Sequence, residues 1–165
     1  MLLHKNKKAL FNYEVVEKFL AGISLYGYEV KAIKEKNVSF EGAYISVQDS
    51  GLGKGIFVVG LNIGKYSKQS QEHDDTATRR PRQLLLNKIE IVKIAKELAE
   101  KGKTAVPLAL LLKNGKIKLE IAVVKGRKKY EKKGVLKERQ IKSDLEKLVR
   151  GEKLREKSDR ILPYR

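Results

Sequence analysis

The stretch TAVPLALLLKNGKIKLEIAVVKG, residues 104–126, decides the fold of this chain. It reads as two strands around Asn114-Gly115, a pair whose tolerance of positive φ makes it the strongest short hairpin signal in the sequence. In the second strand Ile117, Leu119, Ile121 and Val123 point one way, and Lys118, Glu120, Ala122 and Val124 the other. That is the period of two a pleated strand imposes. Pro107, near the start of the first strand, has no N–H to donate and so requires an edge or a bulge.

Working outward, residues 87–102 predict a helix: Asn87 as N-cap with Glu90 three residues on, a stripe of Ile91, Ile94, Ala95 and Leu98, and Gly102 as the stop. AYISVQD at 43–49 and IFVVGLNI at 56–63 read as strands joined by the turn SGLGKG at 50–55. YEVVEKF at 13–19 reads as a further strand, ending at Ala21-Gly22. SLYGYEVKAIKEKN at 24–37 reads as a helix capped by Ser24, with Tyr26, Val30 and Ile33 on one stripe and Gly27 inside it. Residues 64–83, GKYSKQSQEHDDTATRRPRQ, have no apolar period and read as a long loop, of a kind usually functional or disordered. Five or so strands interrupted by helices predict a mainly β fold. The expected form is a small OB-like barrel, closed or partly open, with two or three helices, because a curled sheet hides its edges. A flat α+β sandwich is the alternative.

Charge divides the chain. The net charge is +17 over 165 residues, against the magnitude of about 2–8 that suits a soluble small domain. Residues 127–165 hold 15 Lys/Arg against 7 Asp/Glu, and the first 126 hold 22 against 13. The apolar alternation ends near Val124, so 1–130 reads as a body and 131–165 as a basic tail. In the tail Ile141, Leu145 and Leu148 fall at helical spacing, but the stripe is too thin to hold a helix alone. Such a tail is expected to be disordered when free and to fold against a partner that neutralises its charge. A phosphate polymer is the simplest partner, since positive charge steers association and displaces condensed counterions.

Much chemistry is excluded. There is no cysteine, hence no disulfide, thiol catalysis or zinc–thiolate finger. No apolar run approaches the roughly 18 residues needed to span a bilayer, and the start carries no signal-peptide pattern, so a cytoplasmic protein is expected. No G-x-S-x-G, H-E-x-x-H or P-loop is present, and GLGKG at 51–55 reads as a hairpin turn. Neither an enzyme nor a cofactor is expected. His73 with Glu72, Asp74 or Asp75 would be the metal grouping, but neighbours in one loop do not converge from rigid elements, and a solvated acidic patch is the simpler reading.

The basic clusters are more informative. Arg79-Arg80-Pro81-Arg82 sets three guanidiniums, suited to bidentate phosphate contacts and base stacking, beside a residue that stiffens the backbone. Lys125, Arg127, Lys128 and Lys129 lead to Tyr130, a basic–aromatic mixture that suits unpaired RNA. Glu29 is an acid in a basic setting: it either accepts hydrogen bonds from a base edge or pairs with a lysine, and pairing is the simpler reading.

Five segments, taken in order, resemble the SmpB family, the small proteins that partner transfer-messenger RNA (tmRNA). They are NKKALFNYEV (6–15), AGISLYGYEVKAIK (21–34), RRPRQLLLNKIEI (79–91), PLALLLKNGKIKLEIAVVKGRKKYEKK (107–133) and LKERQ (136–140). The resemblance implies an OB-like body that grips the elbow of the tRNA-like domain. It implies a basic tail that becomes helical in the vacant messenger channel and decoding centre of the ribosome. The protein would be an adaptor for peptide tagging of stalled ribosomes, monomeric in the functional complex, with no cofactor and no membrane. The RNA-binding residues so implied, together with those of the basic clusters, are Lys7, Lys8, Glu29, Lys31, Arg79, Arg80, Arg82, Leu84, Leu85, Leu86, Lys125, Gly126, Arg127, Lys128, Lys129 and Tyr130. The tail residues set against the ribosome are Lys132, Lys133, Lys137, Arg139, Ile141, Lys142 and Leu145. Two departures stand out: Glu131-Lys132-Lys133 where the family commonly has Asp-Lys-Arg, and Asp75-Thr76-Ala77-Thr78 before the arginines. A generic binder of single-stranded RNA and a ribosome-associated structural protein are the competing functions.

Overall fold

The structure, a computed structural model, describes residues 1–70 and 75–159, with backbone alone at 75 and 151–159. Strand β1 (Leu2–Lys5) leads into helix α1 (Lys7–Asn12). Asn6 caps α1 by accepting from the Ala9 N–H at 3.1 Å and ties it to the sheet by donating to the Pro107 carbonyl at 2.9 Å. The basic residues at 4–8 are therefore built into the body, and His4 stacks on Phe40 with ring centroids 5.4 Å apart. Strand β2 (Tyr13–Ile23) runs through Ala21-Gly22, past the end its alternation predicted. At Gly22 a Cβ would stand 3.1 Å from the Cβ of Leu85, so β2 and β7 approach closely there.

Helix α2 (Gly27–Lys34) begins later than predicted, with Tyr26 and not Ser24 at the N-cap. Strands β3 (Val38–Ser39), β4 (Tyr44–Asp49), β5 (Lys54–Val59) and β6 (Asn62–Ile63) follow. The apolar run 56–63 is thus two strands and not one. Gly60 takes φ +76°, where a Cβ would meet the Gly42 carbonyl oxygen at 2.7 Å, and the chain turns there so that β6 pairs with β3 in a separate small sheet. The segment 64–83 is likewise more than a loop. It holds the short helix α3 (Asp75–Thr78) and the first residues of β7 (Arg82–Leu85). Helix α4 (Lys88–Ala99) starts as predicted, with the Glu90 carboxylate accepting from the Asn87 N–H at 3.1 Å. The hairpin of β8 (Lys103–Lys113) and β9 (Lys116–Gly126) turns on Asn114 and Gly115, both at positive φ. The register shifts between Pro107 and Ala109, a bulge at the predicted proline.

Seven strands form one antiparallel sheet in the order β1-β8-β9-β2-β7-β5-β4. The sheet curls until β4 lies against β8, while among the described residues no ladder joins β1 to β4, so the barrel is partly open. Its interior holds Phe19, Ile56, Leu61, Leu119 and Ile121, with Ile94 of α4 and Ile33 of α2 packed into the same cluster. A smaller cluster of Ala9, Val106, Leu108, Ala122 and Val124 lies under α1. Both faces of β9 are therefore covered, which explains its Ala122 and Val124 where an exposed strand would carry polar residues.

The chain divides at Gly126 into a body and a second unit, 127–165. That unit carries helix α5 (Lys129–Asp159), whose start is held by the Glu131 carboxylate accepting from the Lys128 N–H at 2.8 Å. Among the described residues this helix runs through positions 131–159 of the tail. Its Ile141, Leu145 and Leu148 are exposed. No helix among the described residues is long and apolar enough to cross a membrane. The metal grouping around His73 lies outside the described residues.

Candidate nucleic-acid interface

Glu29 organises the end of the body where β2 leaves the sheet. It is the third residue of α2, the position from which a carboxylate reaches back to the helix start, and its Oε2 accepts from the Tyr26 N–H at 2.9 Å. The same oxygen accepts from Arg80 Nη2 at 2.7 Å. Oε1 accepts from Arg80 Nε at 3.0 Å and from Arg82 Nε and Nη2 at 2.9 and 2.7 Å. One carboxylate therefore holds two guanidiniums and a helix terminus.

Arg82 is fully buried, at 0% exposure, and Glu29 is 1% exposed. Arg82 uses its remaining N–H groups on backbone: Nη1 donates to the Leu61 carbonyl at 2.7 Å and Nη2 to that of Thr78 at 3.0 Å. A buried charge is tolerated only when paired and fully hydrogen-bonded, and this network meets both conditions. Burial alone would raise the Glu29 carboxyl pKa; the hydrogen bonds from Arg80, Arg82 and the Tyr26 N–H outweigh it and hold the group below the usual carboxylate range. Burial is also what pulls the Arg82 guanidinium below its ordinary value, against the pull of Glu29.

Three of the positions expected to contact RNA lie inside the body. Glu29, Arg82 and Leu84 are all buried and present no surface to a ligand. β7 is a strand, so Arg82 and Leu84 face inward while Gln83 and Leu85 face outward. Glu29 pairs with arginines and not with a lysine. What the network does is fix the segment that carries the accessible residues. Arg79, Leu85 and Lys31 are exposed, and Arg80 and Leu86 are half-buried.

An aromatic element escaped the sequence reading. The periodicity places Tyr26 on the inner stripe of a helix, but it is the N-cap and stands 54% exposed. The Arg80 guanidinium lies 4.2 Å from its ring centroid, and Tyr28 stacks on it at 5.5 Å. Lys31 lies over Tyr66 at 5.0 Å. The repeated aromatic in Tyr26-Gly27-Tyr28, close to a helix start, was the signal available in the sequence.

The other predicted residues lie elsewhere. Lys125 and Gly126 pair with Glu14 and Tyr13, at the opposite end of β2 from the Ile23–Leu84 pairing. An 11-residue strand separates the two groups by roughly 30 Å. Lys7 and Lys8 are exposed on α1, and Lys8 pairs with Glu41 at 3.1 Å across open surface, a contact of little energetic weight. Arg127, Lys128, Lys129 and Tyr130 open the second unit, of which Lys128, Lys129 and Tyr130 are exposed. On α5, Lys133, Lys137, Arg139, Ile141, Lys142 and Leu145 are exposed and Lys132 is half-buried.

Comparison with known proteins gives a consistent result. The family model described as SmpB protein matches residues 3–151. The chain is 42% identical over 147 residues to the SsrA-binding protein of Persephonella marina, covering 88% of this chain and 92% of that relative. It is 38% identical over 149 residues to the SsrA-binding protein of Treponema denticola, covering 90% and 93%. Among solved structures, a chain from tmRNA-SmpB in the bacterial ribosome matches with a TM-score of 0.64 at 32% identity, covering 78% of this chain and 87% of that one.

Proposed function

Because the chain belongs to the SmpB protein family, we propose that it binds the tRNA-like domain of tmRNA and delivers that RNA to stalled ribosomes for peptide tagging. The observation that carries this reading is the extent of the relationship: it runs from residue 3 to residue 151, through the body and into the tail. The physical character of the chain agrees. A net charge of +17 suits a partner made of phosphates, and the exposed cations are set on a framework that buries its own ion pairs. The role is that of a cytoplasmic adaptor: it positions one RNA on a larger machine and makes no bonds.

The body and the tail divide the work. Residues 1–130 take the tRNA-like domain, with Lys7, Lys8, Lys31, Arg79, Arg80, Leu85 and Lys125 supplying accessible contacts. Residues 131–165 engage the ribosome. The apolar stripe of α5 is exposed, and the helix carries Gly134 in its interior, which costs about 1 kcal/mol relative to alanine. Its stability in solution is therefore marginal, and a ribosomal surface that covers the stripe and balances the lysines consolidates it. Titrating a chain that ends at residue 130 against the tRNA-like domain tests this division. Retained affinity without tagging is the expected result, and affinity no better than for an unrelated hairpin would refute it.

A further inference from the structure

We infer that Tyr26 is a stacking platform for an unpaired RNA base, set and stiffened by Glu29 and Arg80; the inference rests on the RNA-binding reading above. Three observations carry it. First, Tyr26 is 54% exposed although it sits at the root of a buried network. The ring is therefore accessible to a ligand while its backbone belongs to the network. Second, its placement is fixed. The backbone N–H is held by Glu29 at 2.9 Å, and that carboxylate is itself fixed by Arg80 and Arg82. A ring on a fixed backbone loses little conformational freedom on binding, so more of the stacking energy remains as affinity.

Third, the neighbours suit a base and its phosphate. Arg80 lies over the ring at 4.2 Å and Tyr28 stacks at 5.5 Å, so the ring belongs to a cluster of cationic and aromatic groups of the kind an unpaired base stacks on. The exposed Arg79, adjacent in sequence to Arg80, offers a guanidinium suited to a phosphate. Paired bases do not fit this description, since their faces are covered in the helix. The ligand class is an unstacked nucleotide in a loop or bulge, as RNA recognition on aromatic side chains generally requires.

The chain contains no tryptophan, so Tyr26→Trp introduces a single reporter at the site. The probes are the tRNA-like domain of tmRNA and a fully paired RNA hairpin of equal length. Stacking predicts quenched tryptophan emission with the first and little change with the second. It also predicts that Tyr26→Ala weakens binding of the tRNA-like domain by about tenfold or more while Tyr26→Phe stays near wild type, since the ring and not the hydroxyl is used. Thermal unfolding of each variant separates a weakened interface from a damaged fold. Tight binding of the Tyr26→Trp variant with unchanged emission, or equal affinity for the Ala and Phe variants, would overturn the stacking inference and leave the RNA-binding reading intact. Failure of the wild-type chain to prefer the tRNA-like domain would overturn both.

Discussion

Arg82 and Glu29, 53 residues apart in the chain, meet in the interior through two hydrogen bonds to a single carboxylate oxygen, 2.9 Å from Nε and 2.7 Å from Nη2. Neither side chain presents appreciable surface to solvent. The pair links α2 to β7, and through the Leu61 and Thr78 carbonyls it also holds the chain after β5 and the end of α3. A residue type that usually marks a surface is here the internal brace of the proposed RNA-binding end.

Removing Arg82 is expected to be severe. Arg82→Ala leaves a buried carboxylate with one guanidinium fewer and takes a donor from each of the Leu61, Thr78 and Arg80 carbonyls, a change that costs about 3–5 kcal/mol. Arg82→Lys is expected to recover only part of this, because an ammonium cannot reproduce the planar fork. Urea unfolding measures both; a destabilisation below about 1 kcal/mol for Arg82→Ala would show that the network does not brace the fold.

Stability should depend on acid through Glu29. Its folded-state pKa lies below the ordinary value, so in the window beneath that value the unfolded chain binds the extra proton. The contribution is complete above the ordinary carboxylate range and is lost as pH falls through the lowered value. Wild-type stability should fall below about pH 4.5 more steeply than that of Glu29→Gln. Parallel profiles would contradict the assignment.

Gly60 should not tolerate a side chain. At φ +76° a Cβ is strained and would lie 2.7 Å from the Gly42 carbonyl oxygen. Gly60→Ala is expected to cost more than about 1 kcal/mol in unfolding experiments, whereas a glycine to alanine change at a relaxed position would stabilise. A neutral or stabilising result would mean that β5 and β6 are not separated as described.

Arg79, before β7, and Lys125, opposite Glu14 on β2, are both exposed, so their replacement should leave stability almost unchanged. Each alanine variant should bind the tRNA-like domain more weakly, and the dependence of log affinity on log salt should flatten by about one unit for each phosphate interaction removed. Filter binding across a salt series reads this; an unchanged slope would remove that residue from the interface.

Proline at Ile141 and Leu145 breaks the helical ladder of α5 without altering the sequence of the body. The double variant should bind the tRNA-like domain nearly as wild type and fail in a reconstituted tagging assay on stalled ribosomes. Normal tagging would rule out a helical tail as the working form, and parallel loss of binding would place the tail in the primary RNA site.

Local signals in the sequence decided the hairpin of β8 and β9 and the start of α4. Asn114-Gly115 supplies positive φ whatever surrounds it, and Glu90 lies within one turn of the N–H it accepts from. The matching segments also identified the family without any coordinates. Tertiary structure alone decided the roles of Glu29 and the arginines. A four-residue strand such as β7 is too short to show its period, so Arg82 read as a surface cation until its neighbours β2 and β5 turned it inward. A charge can be buried only where a partner already waits, and the partner lay 53 residues upstream, at a distance no sequence pattern encodes. Tyr26 stands at the surface because the helix starts after it, at Gly27, with the Glu29 carboxylate accepting from its N–H.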